Sequence, residues 1–202
     1  MDGANGWRSR KDCSLRKDSC EHLCAGFSKR GASGRHNKLV RKIRDDVSIP
    51  KEVKGMPIRK AEAEWKGNFI EGAGRLRLGS GAFEGPYSFK SRIEEGQSAT
   101  NPEELVGAAH AGCFTMALTM QLSRKGITPR RIHTVANVKL DKVGDAFAIT
   151  RVELEMEADI PGIDEKAFQA IALEAKQNCP VSKALAGTEI HLTAKLLSTA
   201  AG

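Results

Sequence analysis

The stretch TNPEELVGAAHAGCFTMALTMQLSRKG, residues 100–126, decides the fold. Asn101 suits a helix cap, Pro102 the first helical position and Glu104 the reciprocal half of a capping pair, while Gly126 follows the end. A helix is therefore predicted between Pro102 and Gly126. Its apolar residues Leu105, Val106, Ala109, Phe114, Met116, Ala117, Leu118 and Met120 wrap most of the way round, which predicts burial on several sides.

On the N-terminal side, apolar residues alternate with polar ones at Ala61, Ala63 and Trp65, at Leu76 and Leu78, and at Tyr87, Phe89 and Ile93. Three half-buried strands with glycine-rich turns are expected there. On the C-terminal side, Thr134, Ala136, Val138 and Leu140, then Ala148, Thr150, Val152, Leu154 and Met156, predict a hairpin turned at Gly144. Phe168, Ile171, Ala172 and Ala175 follow the spacing i, i+3, i+4, i+7, so a second helix should run up to Cys179-Pro180. A last strand places Ile190, Leu192, Ala194 and Leu196 on one side. The order βββ-α-ββ-α-β lacks strict strand–helix alternation, so the expected class is α+β, with antiparallel sheets packed around a buried central helix.

At 202 residues the chain suits one domain plus a tail. Residues 1–55 carry 14 Lys/Arg against 7 Asp/Glu and the remainder 18 against 18, so the excess of +7 lies in the first quarter. That quarter has little apolar periodicity and cannot offset its chain entropy. It reads as a disordered basic extension, with an ordered domain over 56–198 and Met56 a candidate start. Asp2, Asp12, Asp18 and Glu21 interrupt the basic run, against a transit peptide. No stretch reads as the roughly 20 apolar residues of a membrane span, and no secretory signal opens the chain, so a cytoplasmic location is expected. Basic charge alone also suits an anionic surface, but no aromatic platform or recognition helix accompanies it. Neither nucleic acid nor a membrane is an expected partner.

Cys13, Cys20, His22 and Cys24 match no standard zinc spacing, so neither a metal nor a bound cofactor is expected. Two further cysteines remain. Cys113 sits mid-helix, where a small core residue is the plain reading and burial would make a thiol inert. Cys179 precedes Pro180 and resembles the cap of a short turn through Val181-Ser182-Lys183-Ala184, where free N–H groups favour a thiolate. Neither position decides the matter alone.

The wording around them does more. Asn101-Pro102-Glu103-Glu104-Leu105-Val106-Gly107-Ala108-Ala109-His110-Ala111-Gly112-Cys113-Phe114 resembles the central-helix signature of the OsmC/Ohr family, and Cys179-Pro180-Val181-Ser182-Lys183-Ala184-Leu185 resembles its second cysteine motif. The likeness covers residues 56–197, including Ala63-Glu64-Trp65, Pro86-Tyr87-Ser88-Phe89 and Pro161-Gly162-Ile163-Asp164, and its wording is closer to the OsmC branch.

The resemblance implies a thiol peroxidase that reduces organic hydroperoxides in oxidative or osmotic stress defence. Cys113 would attack the peroxide and become a sulfenic acid, which Cys179 would resolve as a disulfide. Arg92, read at the end of the third strand, would activate the thiol, with Glu103 holding it. Each also has a plain reading, Arg92 as a solvated charge and Glu103 as first-turn helix chemistry. The resemblance further implies an external dithiol reductant such as dihydrolipoamide, and a homodimer. Helix geometry points the same way, since ten residues place Glu103 about 15 Å along the axis from Cys113. Unless the helix bends, Glu103 or Arg92 should come from a second subunit. A pocket of Phe, Met and Leu around Cys113 is expected, and His110 is read as a core residue without a catalytic role. The rival readings are a non-catalytic binding or scaffold protein on the same fold, or a basic-tail binder of anionic surfaces.

Overall fold

The computed structural model describes residues 55–197. The basic extension read over 1–55, with Cys13, Cys20 and Cys24, lies outside the described residues apart from Gly55.

Strands β1 (Ala61–Lys66), β2 (Ala73–Leu78) and β3 (Glu84–Ser88) form an antiparallel sheet in sequence order. The short helix α1 (Phe89–Ile93) follows at once. The long helix α2 spans Pro102–Arg124. Strands β4 (Arg131–Val143) and β5 (Ala146–Asp159) make an antiparallel hairpin, closed by Gly144 at φ 62°. Helices α3 (Glu165–Asn178) and α4 (Pro180–Ala184) lead to β6 (Glu189–Leu196), and the second sheet has the order β4-β5-β6.

Four expectations need correction. The third strand stops at Ser88, so Arg92 lies on a helix. Ser88 and Ser91 cap each other, Ser91 N–H donating to Ser88 Oγ at 3.0 Å and Ser88 N–H to Ser91 Oγ at 2.9 Å. This reciprocal cap turns the chain where hydrophobic alternation alone continues it.

The second sheet is mixed, because β6 runs parallel to β5. Parallel neighbours need a long crossover, and α3 with α4 supplies it.

Helix α2 is buried on one face rather than several. Glu103, Gly107, His110, Phe114, Ala117, Leu118, Gln121 and Leu122 are buried at helical spacing, whereas Met116 on the far side is 74 % exposed. The core joins Phe114, Leu118 and Leu122 to Val152, Leu154 and Met156 of β5 and Phe168, Ile171 and Ala175 of α3. The first sheet supplies no residue to that core. In length and composition α2 also matches a membrane span, contrary to the expectation that no stretch does. Its length and apolar content here serve a core helix.

Candidate active site

Cys113 is half-buried on the α2 surface that meets α4, and Cys179 is fully buried at the junction of α3 and α4. Cys179 closes α3, its N–H donating to Ala175 O, and Pro180 then opens α4 without a break in the chain path. The thiols are free and lie close enough for each to shift the other's acidity. Chain segments far apart in sequence are thus joined by the packing of α2 on α4.

The environments of the two sulfurs differ. Burial pushes the Cys113 thiol up, the Val181 N–H opposes this, and Cys179 adds to the rise. Burial also works against a Cys179 thiolate, but the Ser182 backbone N–H and hydroxyl, with Cys113 and the Val181 N–H, outweigh it and hold that thiol below its ordinary value. Within one chain, then, Cys179 is the more acidic of the pair.

Arg92 and Glu103 form a second cluster. Arg92 Nη2 lies 2.7 Å from Glu103 Oε1, and Nε lies 3.0 and 3.2 Å from the two carboxylate oxygens. Glu103 is 8 % exposed. The pair is set by the chain around it. Ser91 Oγ donates to Thr100 O at 2.7 Å, and Asn101 Nδ2 donates to Ser91 O at 3.1 Å, so α1 is tied to the start of α2.

Both members of this ion pair belong to the same chain. The expectation that Glu103 or Arg92 comes to Cys113 from a second subunit is not decided by this pairing, which only keeps the two together on one chain. The separation along α2 remains: Glu103 and Cys113 are ten residues apart on one unbroken helix, about 15 Å along its axis. One chain thus holds two separate clusters, a thiol pair and an anchored cation.

A cavity of about 280 Å³ beside Arg92 is walled by Trp65, Phe69, Tyr87, Phe89 and Pro102. Trp65 and Tyr87 pack with ring centroids 5.4 Å apart. The wall is aromatic, and Cys113 is not part of it. This cavity lies around Arg92 and not around Cys113, where a Phe, Met and Leu lining was expected. Among the described residues, no group of three His, Cys, Asp or Glu side chains is placed to hold a metal.

One buried contact was not anticipated from sequence. His110 Nε2 lies 2.8 Å from Ser182 Oγ, linking α2 to α4 beside the cysteines. Both residues lie within the two cysteine motifs, His110 one helical turn before Cys113 and Ser182 three residues after Cys179.

Residues 95–195 match the family described as OsmC-like protein. The chain is 47% identical over 141 residues to the peroxiredoxin OsmC of Escherichia coli strain K12, covering 69% of this chain and 97% of that protein. The chain belongs to the OsmC family. A more distant OsmC relative, the organic hydroperoxide resistance protein of Xanthomonas axonopodis pv. citri, is 29% identical over 100 residues, 48% of this chain and 68% of that protein. Among solved structures, the organic hydroperoxide resistance protein from Elizabethkingia anophelis superposes with a TM-score of 0.58 at 25% identity, over 71% of this chain and 99% of that one. The α+β arrangement of the family is thus present here, with one antiparallel and one mixed sheet.

Proposed function

We propose that this chain is a thiol peroxidase that reduces organic hydroperoxides to alcohols, working in a reducing cytoplasm. The observation that carries the reading is the juxtaposition of two free cysteines, Cys113 and Cys179, brought near each other from separate motifs. The names of its relatives, a peroxiredoxin and an organic hydroperoxide resistance protein, support it.

In this reading the Cys113 thiolate attacks the terminal peroxide oxygen, the O–O bond breaks and an alkoxide leaves. Cys113 is then a sulfenic acid. Cys179 displaces its hydroxyl as water, and the resulting disulfide is reduced by an external dithiol such as dihydrolipoamide. Arg92, held by Glu103, lowers the Cys113 pKa and stabilises the departing alkoxide. Since burial and the neighbouring Cys179 leave Cys113 the weaker acid within one chain, a cation supplied by a partner subunit would activate it. The active unit is accordingly a homodimer in which Arg92 of one subunit serves Cys113 of the other. The aromatic cavity beside Arg92 would then receive the apolar part of the hydroperoxide.

The test is dithiol-dependent consumption of cumene hydroperoxide by wild type, Cys113→Ser and Cys179→Ser, with chemical trapping of sulfenic acid. Expected are loss of activity in both variants and a trappable sulfenate only where Cys113 is retained. Unchanged turnover in Cys113→Ser sinks the mechanism and favours a non-catalytic role for the fold.

A further inference from the structure

The contact between His110 and Ser182 is fully enclosed, with His110 at 0% and Ser182 at 8% exposure. A serine hydroxyl can give one hydrogen bond and accept others. On its other side the Ser182 hydroxyl lies near Cys179, three residues earlier, whose acidity it raises together with its own backbone N–H. A proton given to the sulfur leaves the Ser182 oxygen to accept, and its partner there is His110 Nε2.

The other imidazole nitrogen fixes the tautomer. His110 Nδ1 is buried and meets no hydrogen-bonding partner among the described residues. With the proton on Nδ1, a buried N–H would be orphaned, a rarer and costlier fault than an unused lone pair. The proton therefore belongs on Nε2, facing Ser182. Burial, and then the Lys176 ammonium, hold the imidazole below its ordinary pKa, so the ring stays neutral. Lys176 itself is tied to Ile190 O of β6. The groups facing this site are thus Cys113 and His110 from α2, Lys176 from α3, and Ser182 from α4.

We propose that Ser182 is a catalytic residue and His110 its positioning residue in the resolving step: His110 Nε2–H donates to Ser182 Oγ, and the Ser182 O–H donates to Cys179 and holds it as the attacking thiolate. The inference rests on the peroxidase reading for its place in the cycle. Cys179 S⁻ attacks the sulfur of the Cys113 sulfenic acid, an S–S bond forms and the S–O bond breaks. Cys179 is oxidised, the sulfenic sulfur is reduced, and the departing hydroxide takes up the proton that Cys179 had released, giving water. No further oxidant or reductant enters this step.

The test uses the full chain with Cys13, Cys20, Cys24 and Cys113 changed to Ser, leaving Cys179 as its thiol, and follows thiolate absorbance against pH. Ser182→Ala should raise the midpoint by about one pH unit, about tenfold less thiolate below both midpoints. Ser182→Thr and His110→Gln, which keep a donor at each place, should stay close to the parent, while His110→Leu should follow Ser182→Ala. In the chain with its native cysteines, Ser182→Ala should slow disulfide closure about tenfold relative to sulfenate formation. An unmoved midpoint in folded Ser182→Ala overturns the proposal. So does an imidazole NMR spectrum of the unsubstituted chain showing His110 protonated on Nδ1, a result that needs no variant to fold. Absence of any sulfenate in Cys179→Ser would instead remove the peroxidase reading and leave the titration result standing.

Discussion

Arg92 holds Glu103 through two nitrogens of its guanidinium, a fork that a lysine ammonium has no means to copy. The fork fixes the direction of the remaining N–H groups, which is what a developing alkoxide requires. Arg92→Lys keeps the charge and loses that direction, so turnover with cumene hydroperoxide should fall at least about tenfold while the melting temperature changes little. Wild-type turnover in Arg92→Lys would show that a point charge is enough. At this scale the sequence was informative in words and silent in periodicity. Cys113 and Cys179 stood out because of their surrounding motifs, whereas helical spacing alone made Cys113 a core residue. The pairing of Arg92 with Glu103 inside one chain was hidden, since Arg92 read as the end of a strand. His110 looked like packing because its partner, Ser182, is remote in sequence and only the fold brings it near.

Asn101 does two jobs where α1 meets α2. Its side-chain oxygen accepts from the Glu104 N–H at 2.8 Å and caps α2, while its amide nitrogen donates to Ser91 O and ties down the helix that carries Arg92. Two substitutions separate these jobs. Asn101→Ala removes both and should cost about 1 kcal/mol in a denaturant melt, together with lowered turnover. Asn101→Asp retains the cap and its charge suits the helix start, so stability should hold while turnover falls. Full turnover in Asn101→Asp would mean that α1 is positioned without this bond. The start of α2 was legible because Asn101, Pro102 and Glu104 are strong local signals. Helix α1 was not, because its cap pairs two serines, Ser88 and Ser91, in place of the usual serine and glutamate. The direction of β6 was equally hidden: alternation in Ile190, Leu192 and Ala194 names a face, and the crossover through α3 and α4 sets parallel pairing.

At the scale of the whole molecule, the unburied face of α2 and the first sheet that gives nothing to the core have one explanation in common. A helix whose apolar residues wrap most of the way round, with Met116 exposed in a single chain, has more apolar surface than that chain covers. In the proposed dimer that periodicity would report burial in the assembly, of which the single chain accounts for only part. A second copy that packs against this face would also bring its own Arg92–Glu103 pair toward Cys113, because the two clusters sit at separate positions along α2. Subunit mixing tests this directly. Arg92→Ala and Cys113→Ser chains should each be inactive alone. After joint unfolding and refolding in equal amounts, about half the dimers should be mixed, each with one intact site made of Cys113 from one chain and Arg92 from the other. Activity should return to about one quarter of wild type. A site built within a single chain gives no recovery, because every Cys113 would still face a missing Arg92.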